Sequence, residues 1–327
     1  MTASEPTEPQ YDILTSRKAR NLFLAGQGSG KTHGAGGVSA IFISNFPTVR
    51  GLIAANTHDQ LNRSTLFRVR EVWQHDYGIK EYNDSTGEGC YVIDKKPPKH
   101  FITKGHNFKS YNNIISFDNG CVIYIGSLEN YKALDGIEIG WAILDETKDT
   151  KEEAVKEVIT GRLRQPGMYI TPDGQLVSTP TDEPFNPLYV FTSPAKVQWL
   201  NEWFKLDEYE DEIKRDIHIP GGYFRKEVAN RLITISSTYL NEKNLPSNYI
   251  ENRMSDIHSG LIEMLIYGNP FSKAGGEFYK CFEKSRNSGS HSYDPHLPLW
   301  LTWDFNVLPY VTCCIWQFDG KKGRQID

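Results

Sequence analysis

AGQGSGKTHGAGG, Ala25 to Gly37, places six glycines and one lysine within thirteen residues, directly after the apolar run Leu22-Phe23-Leu24. Residues 21–25 (NLFLA) have the composition of a buried parallel strand, so the glycines begin where a strand ends. The pattern G-x-x-x-x-G-K-[ST] is met by Ala25-Gly26-Gln27-Gly28-Ser29-Gly30-Lys31-Thr32, with alanine in place of the first glycine. The spacing has a physical reason. Glycines let successive backbone N–H groups turn inward around phosphates, and a helix beginning near Gly30 adds the field of its N-terminus. Gly26, Gln27, Gly28, Ser29 and Gly30 then form the cradle, Lys31 reaches the β- and γ-phosphates, and the Thr32 hydroxyl ligates Mg²⁺. Gly34, Gly36 and Gly37 are unexpected inside a helix, where each costs up to about 1 kcal/mol relative to alanine. Close packing against another element would offset that cost.

A phosphate cradle needs an acidic partner downstream. Of the apolar β-type stretches 51–55 (GLIAA), 121–125 (CVIYI) and 141–144 (WAIL), only the last ends in a suitable pair, Asp145-Glu146. Asp145 at the strand tip would hold the Mg²⁺ shell, and Glu146 would polarise the attacking water. A third piece is 175–189 (QLVSTPTDEPFNPLY), in which a short strand Leu176-Val177 ends in Ser178-Thr179-Pro180. Hydroxyls at the tip of the strand beside the cradle would sense the γ-phosphate and relay its loss. The plainer reading is strand-to-turn punctuation before proline.

Bulk composition agrees with a globular protein. The chain has 327 residues, 39% hydrophobic and 24% charged, with a formal charge of −5. That length suits one large or two medium domains. No run approaches about 18 consecutive apolar residues, and the N-terminus MTASEPTEPQ has neither the basic nor the apolar region of a secretory signal. Five cysteines at 90, 121, 281, 313 and 314 contain no C-x-x-C, which favours buried thiols over a metal or redox site. The negative charge gives no support for a surface coated in positive charge, and any nucleic-acid contact would use a local patch.

With those residues in place, the sequence resembles the large terminase subunit of tailed bacteriophages, the ATP-driven motor that packages DNA. The matching pieces are NLFLAGQGSGKT (21–32), GLIAANTHDQLNRSTL (51–66), AILDE (142–146), the blocks within 161–189, ITISSTYLNEKNLPSNYIENR (233–253), the segments within 266–284, and WLTWDFN (300–306). The resemblance implies an α/β P-loop NTPase of the additional-strand (ASCE) type. Its central, mostly parallel sheet would be flanked by helices and followed by a lid or linker subdomain and an RNase H-like nuclease start. It implies ATP and Mg²⁺ as cofactors, Glu146 as the catalytic carboxylate, Asp145 as the Walker B aspartate and Ser178-Thr179 as the coupling motif. Implied partners are double-stranded DNA, the portal protein, the small terminase subunit and further copies in a homo-oligomeric ring on the procapsid. The chain itself is expected to be a monomer in solution, in the host cytoplasm. Another additional-strand ATPase, such as a helicase, and a non-catalytic nucleotide-binding scaffold are the competing readings. The segment starting at 300 argues against the first, and retention of both Lys31 and Glu146 against the second.

Two departures from the family pattern matter. Many members carry Arg-Gly shortly before the Walker B strand, whereas this chain has Leu134-Asp135-Gly136. An arginine finger must therefore come from elsewhere. Arg162 and Arg164 in GRLRQPG are the first candidates, and Arg63, Arg68 and Arg70 the second. The second departure is at the end of the chain. Asp304 in LTWDFN would be one metal-holding carboxylate of a two-metal nuclease, which needs several. The chain is expected to be a fragment of a longer product and not to cut DNA.

The expected divisions are a flexible arm 1–15, an ATPase core 16–195, a lid or linker subdomain 196–269, an interdomain linker 270–298 and a truncated nuclease start 299–327. Residues 80–120 read as strands and loops inserted between early core strands. Lys95, Lys96, Lys99, Lys104, Arg225 and Lys226 are candidate DNA contacts, although exposed lysines need no partner. Trp199 and Trp203 share one helix face and read as packing residues, and the nine histidines show no ligand spacing.

Overall fold

The computed structural model describes residues 5–102, 108–181, 183–194, 198–272, 289, 292–305, 311–320 and 322–326. The chain divides into two compact units, Met1–Gly275 and Gly276–Asp327. The first begins with α1 (Glu8–Thr15), β1 (Arg20–Ala25), α2 (Lys31–Asn45) and β2 (Arg50–Ala55). Next, α3 (His58–Gln60) passes through a π-helical turn, Leu61–Thr65, into α4 (Leu66–Asp76). Strands β3 (Tyr91–Ile93), β4 (Ile114–Phe117), β5 (Val122–Ser127) and β6 (Trp141–Asp145) follow. A second π-helical turn, Ala154–Ile159, leads into α5 (Thr160–Arg162), then β7 (Tyr169–Ile170), β8 (Leu176–Val177) and β9 (Leu188–Thr192). The unit closes with α6 (Gln198–Phe204), α7 (Glu210–Asp216), β10 (Tyr223–Val228), β11 (Arg231–Ser236), a 3-10 run Thr238–Asn244, α8 (Tyr249–Asp256) and α9 (Ser259–Leu265).

These strands form a nine-stranded mixed sheet in the order β10-β11-β1-β9-β6-β2-β5-β4-β3. From β11 to β5 every neighbouring pair is parallel, and antiparallel strands close both edges. The apolar runs explain the burial on both faces. Along β1, Leu22 and Leu24 enter one hydrophobic core, while Phe23 and Ala25 enter the other. One face is covered by α1, α2 and α4 through Ile13, Val38, Phe42 and Trp73. The opposite face is covered by Val155, Ile159, Leu200, Phe204 and Ile213. A strand buried on both faces reads as a continuous apolar run, which is why these were visible in the sequence.

The extra glycines of α2 have a steric explanation. A Cβ on Gly36 would lie 2.8 Å from Val72 Cβ of α4, and one on Gly37 would lie 2.6 Å from Leu14 Cδ2 of α1. On the sheet side, a Cβ at Gly34 would lie 3.2 Å from Phe191 of β9. The helix therefore sits in a tight trench, most firmly confined at Val72 and least tightly at Phe191. Trp73 adds a tie, donating its indole N–H to Ser39 Oγ at 2.9 Å.

Several expectations need correction. Residues 8–15 are not a flexible arm: Thr7 caps α1 with Gln10 in a capping box, and Ile13 is buried in the core. The proposed lid 196–269 contains two strands of the main sheet, β10 and β11, with β11 paired directly to β1. Leu176-Val177 is not a sheet strand beside β1. It forms a two-stranded hairpin with Tyr169–Ile170, because two residues are too few to span the sheet. The central strand after β6 is β9. Trp199 is a packing residue, buried, with its indole N–H on Thr150 O at 2.9 Å. Burial pushes the Cys121 thiol up to about 12, as befits an inert structural cysteine. No helix among the described residues is long and apolar enough to cross a membrane.

The second unit contains a three-stranded antiparallel sheet, β12 (Leu299–Phe305), β13 (Val311–Phe318) and β14 (Gly323–Gln325). Asp304 lies on β12 opposite Thr312, and its side chain is outside the described residues. Most of the expected linker 270–298 also lies outside them, as does Lys104.

Candidate active site

Between β1 and α2 the chain turns through Gly28 and Gly30, at φ +75° and +80°. That left-handed conformation is open to glycine at no steric cost. Lys31 is buried at the first turn of α2, its ammonium donating to Gly26 O at 2.8 Å and to Ala25 O at 3.1 Å. Burial lowers its affinity for the proton, and the carboxylates of Glu146 and Asp145 counter this. An ammonium kept in this setting is a strong donor to any anion entering the loop.

Asp145 ends β6, buried, and its Oδ2 accepts from Thr65 Oγ1 at 2.8 Å and from Thr32 Oγ1 at 3.2 Å. Burial, with the adjacent Glu146 charge, pushes this carboxyl up to about 6. Its other oxygen, Oδ1, is buried without a hydrogen-bond partner. A hydroxyl and a carboxylate with a spare oxygen are hard donors of the kind Mg²⁺ takes, alongside waters and substrate phosphates. No group of three or more His, Cys, Asp or Glu side chains gathers among the described residues, so an all-protein metal cage is not what the site offers. Glu146 adopts φ +52°, an uncommon conformation for a non-glycine residue, with its backbone N–H on Phe191 O at 2.8 Å. Its Oε2 is buried and has no hydrogen-bond partner.

Lys31, Thr32 and Glu146 border a cleft of about 650 Å³, lined also by Gln27 and Ser193 among others. Its size is that of an ordinary small-ligand site. Ser193 follows Thr192 at the tip of β9, the strand between β1 and β6, and both are buried. The hydroxyl pair expected to border the cradle is therefore Thr192-Ser193. Ser178 and Thr179 are exposed on the β7–β8 hairpin, which Arg17 anchors near the start of β1 through Gly174 O at 2.7 Å. The sequence held a signal for the pair at this strand tip. FTSP (191–194) repeats the hydroxyls-before-proline pattern of VSTP, but after a five-residue apolar strand rather than a two-residue one.

Neither first-choice arginine meets the loop of its own chain. Arg162 pairs with Asp135, and Arg164 lies 3.6 Å from Glu138. Both flank Ile139, two residues before β6, whereas Asp145 is at the far end of that strand, about 20 Å away at strand rise. Asp135, the acidic residue where the family pattern has arginine, thus has Arg162 as its counter-charge. Of the second group, Arg68 lines the cleft while its Nη1 lies 2.9 Å from Glu71, and Arg70 faces Tyr91 and Glu81.

Residues that the sequence left without a role hold the loop from outside. Gln10 Nε2 donates to Gly30 O at 2.9 Å, Asn241 Nδ2 to Gly28 O at 2.7 Å and Thr238 Oγ1 to Gln27 O at 2.7 Å. Arg253 donates to Gln27 Oε1 from both Nε and Nη2, at 3.1 and 3.0 Å. Thr65, the other donor to Asp145, was missed as well. Hydrogen bonds between segments 20 to 226 residues apart leave no periodicity in the sequence.

The family model described as "Terminase large subunit, T4likevirus-type, N-terminal" matches residues 22–283. No curated protein matches the sequence. Among solved structures, the chain is similar to the large terminase of a thermophilic bacteriophage (crystal form 2). The two share 15% identity at TM-score 0.53, over 99% of this chain and 68% of that one. The complex of that terminase with ADP matches at 15% identity and TM-score 0.53, over 98% and 67% of the two chains. The complex with ATP-γ-S matches at 15% and 0.52, over 98% and 66%. At such identity the likeness is one of fold, and the chain spans about two thirds of the length of that phage protein.

Proposed function

The chain belongs to the large terminase subunit family and carries its ATPase region, and from that premise we propose that it binds ATP with Mg²⁺ at the Gly26–Thr32 loop and hydrolyses it to drive duplex DNA into a procapsid. The observation that carries the chemistry is Asp145, tied to Thr32 and holding one buried oxygen unpartnered beside Glu146. The thermophilic phage terminase, which shares the fold, has been captured with ADP and with ATP-γ-S.

In this reading the sheet is that of an additional-strand P-loop ATPase, with β9 between the cradle strand β1 and the Walker B strand β6. The backbone N–H groups of the loop and the Lys31 ammonium take up the phosphates. Thr32 and Asp145 would hold Mg²⁺, which when bound neutralises charge on the β- and γ-phosphates. Glu146 accepts the proton of the water that attacks the γ-phosphorus, and its fixed left-handed backbone aims that carboxylate. Thr192-Ser193, at the tip of the strand joining the two halves of the site, is placed to register loss of the γ-phosphate.

Double-stranded DNA, the portal protein, the small terminase subunit and a ring of copies on the procapsid, within the host cytoplasm, belong to this proposal. Arg162 and Arg164, distant from the loop of their own chain, are either ordinary salt-bridging arginines or fingers toward a neighbouring copy. The second unit is read as the start of an RNase H-like nuclease, with Asp304 as one metal-holding carboxylate.

The test is Mg²⁺-dependent ATP turnover and nucleotide binding by the chain and two variants. Glu146→Gln should bind ATP normally and lose at least about a hundredfold in kcat. Lys31→Ala should lose nucleotide affinity. Turnover by Glu146→Gln within threefold of the parent would overturn the assignment of the base.

A further inference from the structure

Arg253, on α8, is a half-buried guanidinium whose described partner is a neutral carboxamide, the Oε1 of Gln27. Most of the arginines weighed above are paired with carboxylates, whereas Arg63 is exposed and has no ion pair among the described residues. Arg68 sits on Glu71, Arg162 on Asp135 and Arg164 on Glu138, whereas among the described residues Arg253 forms no ion pair with a carboxylate. A guanidinium keeps its proton and carries five donors in a rigid fork. Here two of those donors converge on one oxygen, so that among the described residues the positive charge has no carboxylate partner and three N–H groups remain for another acceptor.

Gln27 is the third residue of the Ala25–Thr32 motif, and its side chain lines the cleft. Arg253 is thus one side chain removed from the space where an anion would enter. Its approach does not depend on a distant swing of the segment that carries it. That segment is fixed to the loop by Thr238 Oγ1 on Gln27 O at 2.7 Å, Asn241 Nδ2 on Gly28 O at 2.7 Å, and Gln27 N–H on Leu265 O at 2.6 Å. Against a neutral amide oxygen, a phosphate oxygen is the stronger acceptor, since charge-assisted hydrogen bonds are about twice as strong as neutral ones.

We propose that Arg253 is a catalytic arginine supplied by the chain to its own nucleotide, parked on Gln27 and transferred to a γ-phosphate oxygen when ATP binds. The inference rests on the ATPase reading above. In the hydrolytic step a bond forms between the water oxygen and the γ-phosphorus, and the bond from that phosphorus to the β,γ-bridging oxygen breaks with its electron pair leaving on ADP. The water proton passes to Glu146. Arg253 transfers no proton; its N–H groups offset the negative charge on the γ-phosphoryl oxygens and bridging oxygen, a contribution that grows toward the transition state. Gln27 is then a positioning residue, holding the fork near its target while the carboxamide competes weakly for it.

The experiment compares ADP and ATP-γ-S affinities, kcat and KM for ATP in the full chain and in Arg253→Ala, Arg253→Lys and Gln27→Ala. A γ-phosphate contact predicts that Arg253→Ala weakens ATP-γ-S binding about tenfold or more, leaves ADP within about twofold, and lowers kcat about a hundredfold. Arg253→Lys keeps the charge without the fork and should recover part of the ATP-γ-S preference and little of kcat. Gln27→Ala should keep the preference for ATP-γ-S over ADP that Arg253→Ala loses. Parallel weakening of both nucleotides, or no change in either, in an Arg253→Ala protein that melts like the parent overturns the proposal. Should Arg253→Ala melt early, Arg253→Lys decides by the same ratio. Failure of the underlying ATPase reading looks different: the unaltered chain would then bind neither nucleotide better than Lys31→Ala does.

Discussion

Thr65 shows how a single hydroxyl can matter more to a site than its sequence suggests. It reaches Asp145 Oδ2 from a π-helical turn and makes the shorter of the two hydrogen bonds to that oxygen. Outer partners of metal-holding groups typically alter metal affinity by about 10–100-fold when removed. Thr65→Val, nearly equal in volume, should therefore raise the Mg²⁺ concentration needed for half-maximal turnover by about tenfold while leaving the fold intact. Titrating Mg²⁺ at fixed ATP measures this, and an unchanged midpoint would show that Thr32 alone orients the carboxylate. At this scale the sequence was partly legible. Lys31, Thr32, Asp145 and Glu146 follow from local spacing, since each stands at a strand tip or helix start. Thr65, Gln10 and Arg253 reach the site only through tertiary contacts, and their surroundings in sequence carry no mark of it.

At the level of elements, α2 is the critical contact. Its Gly36 faces Val72, a β-branched side chain with little freedom to move aside, so Gly36→Ala forces helix and neighbour apart despite the better helix propensity of alanine. Overpacking of this kind costs about 1–3 kcal/mol and should lower the melting temperature by several degrees. A melting temperature above that of the parent would mean that the trench is wider than described. A second element-level prediction concerns pH. His218, just beyond α7, bonds Lys214 O at 2.6 Å and Glu263 Oε1 of α9 at 2.9 Å. Burial disfavours its charged form, but the Lys214 carbonyl and Glu263 outweigh this and raise its pKa above the usual 6.5. A raised value in the folded state means that the contribution is full below pH 6.5 and is lost as the pH rises through the folded value. The parent should thus lose more thermal stability between about pH 6 and pH 8 than His218→Gln does. The slope will be modest because the ring is 38% exposed. Elements with strong apolar runs, β1, β2, β5 and β6, were readable from sequence. The pairing of β11 with β1 was not, because nothing local distinguishes a strand that joins the sheet from one in a separate lid.

Across the whole molecule, the residues of the cleft all belong to the first unit. Both hydrophobic cores close within it as well, their last members lying before residue 275. A chain ending at Gly275 should therefore fold cooperatively and bind ATP-γ-S with an affinity within about threefold of the longer chain. Circular dichroism melting and a binding titration test this together, and loss of either would assign residues 276–327 a part in the core. The order β11-β1-β9 has one more consequence, which concerns synthesis rather than the finished protein. Strand β1 leaves the ribosome before every other strand of its sheet, yet its two sheet neighbours begin at residues 188 and 231. At about 5–20 residues per second, both of its edges stay unpaired for roughly 10–40 s. For that interval NLFLA is an open template, and the glycine loop behind it has no outer supports. The glycine loop, encoded ahead of the rest of its sheet, is among the last parts of the first unit to be completed.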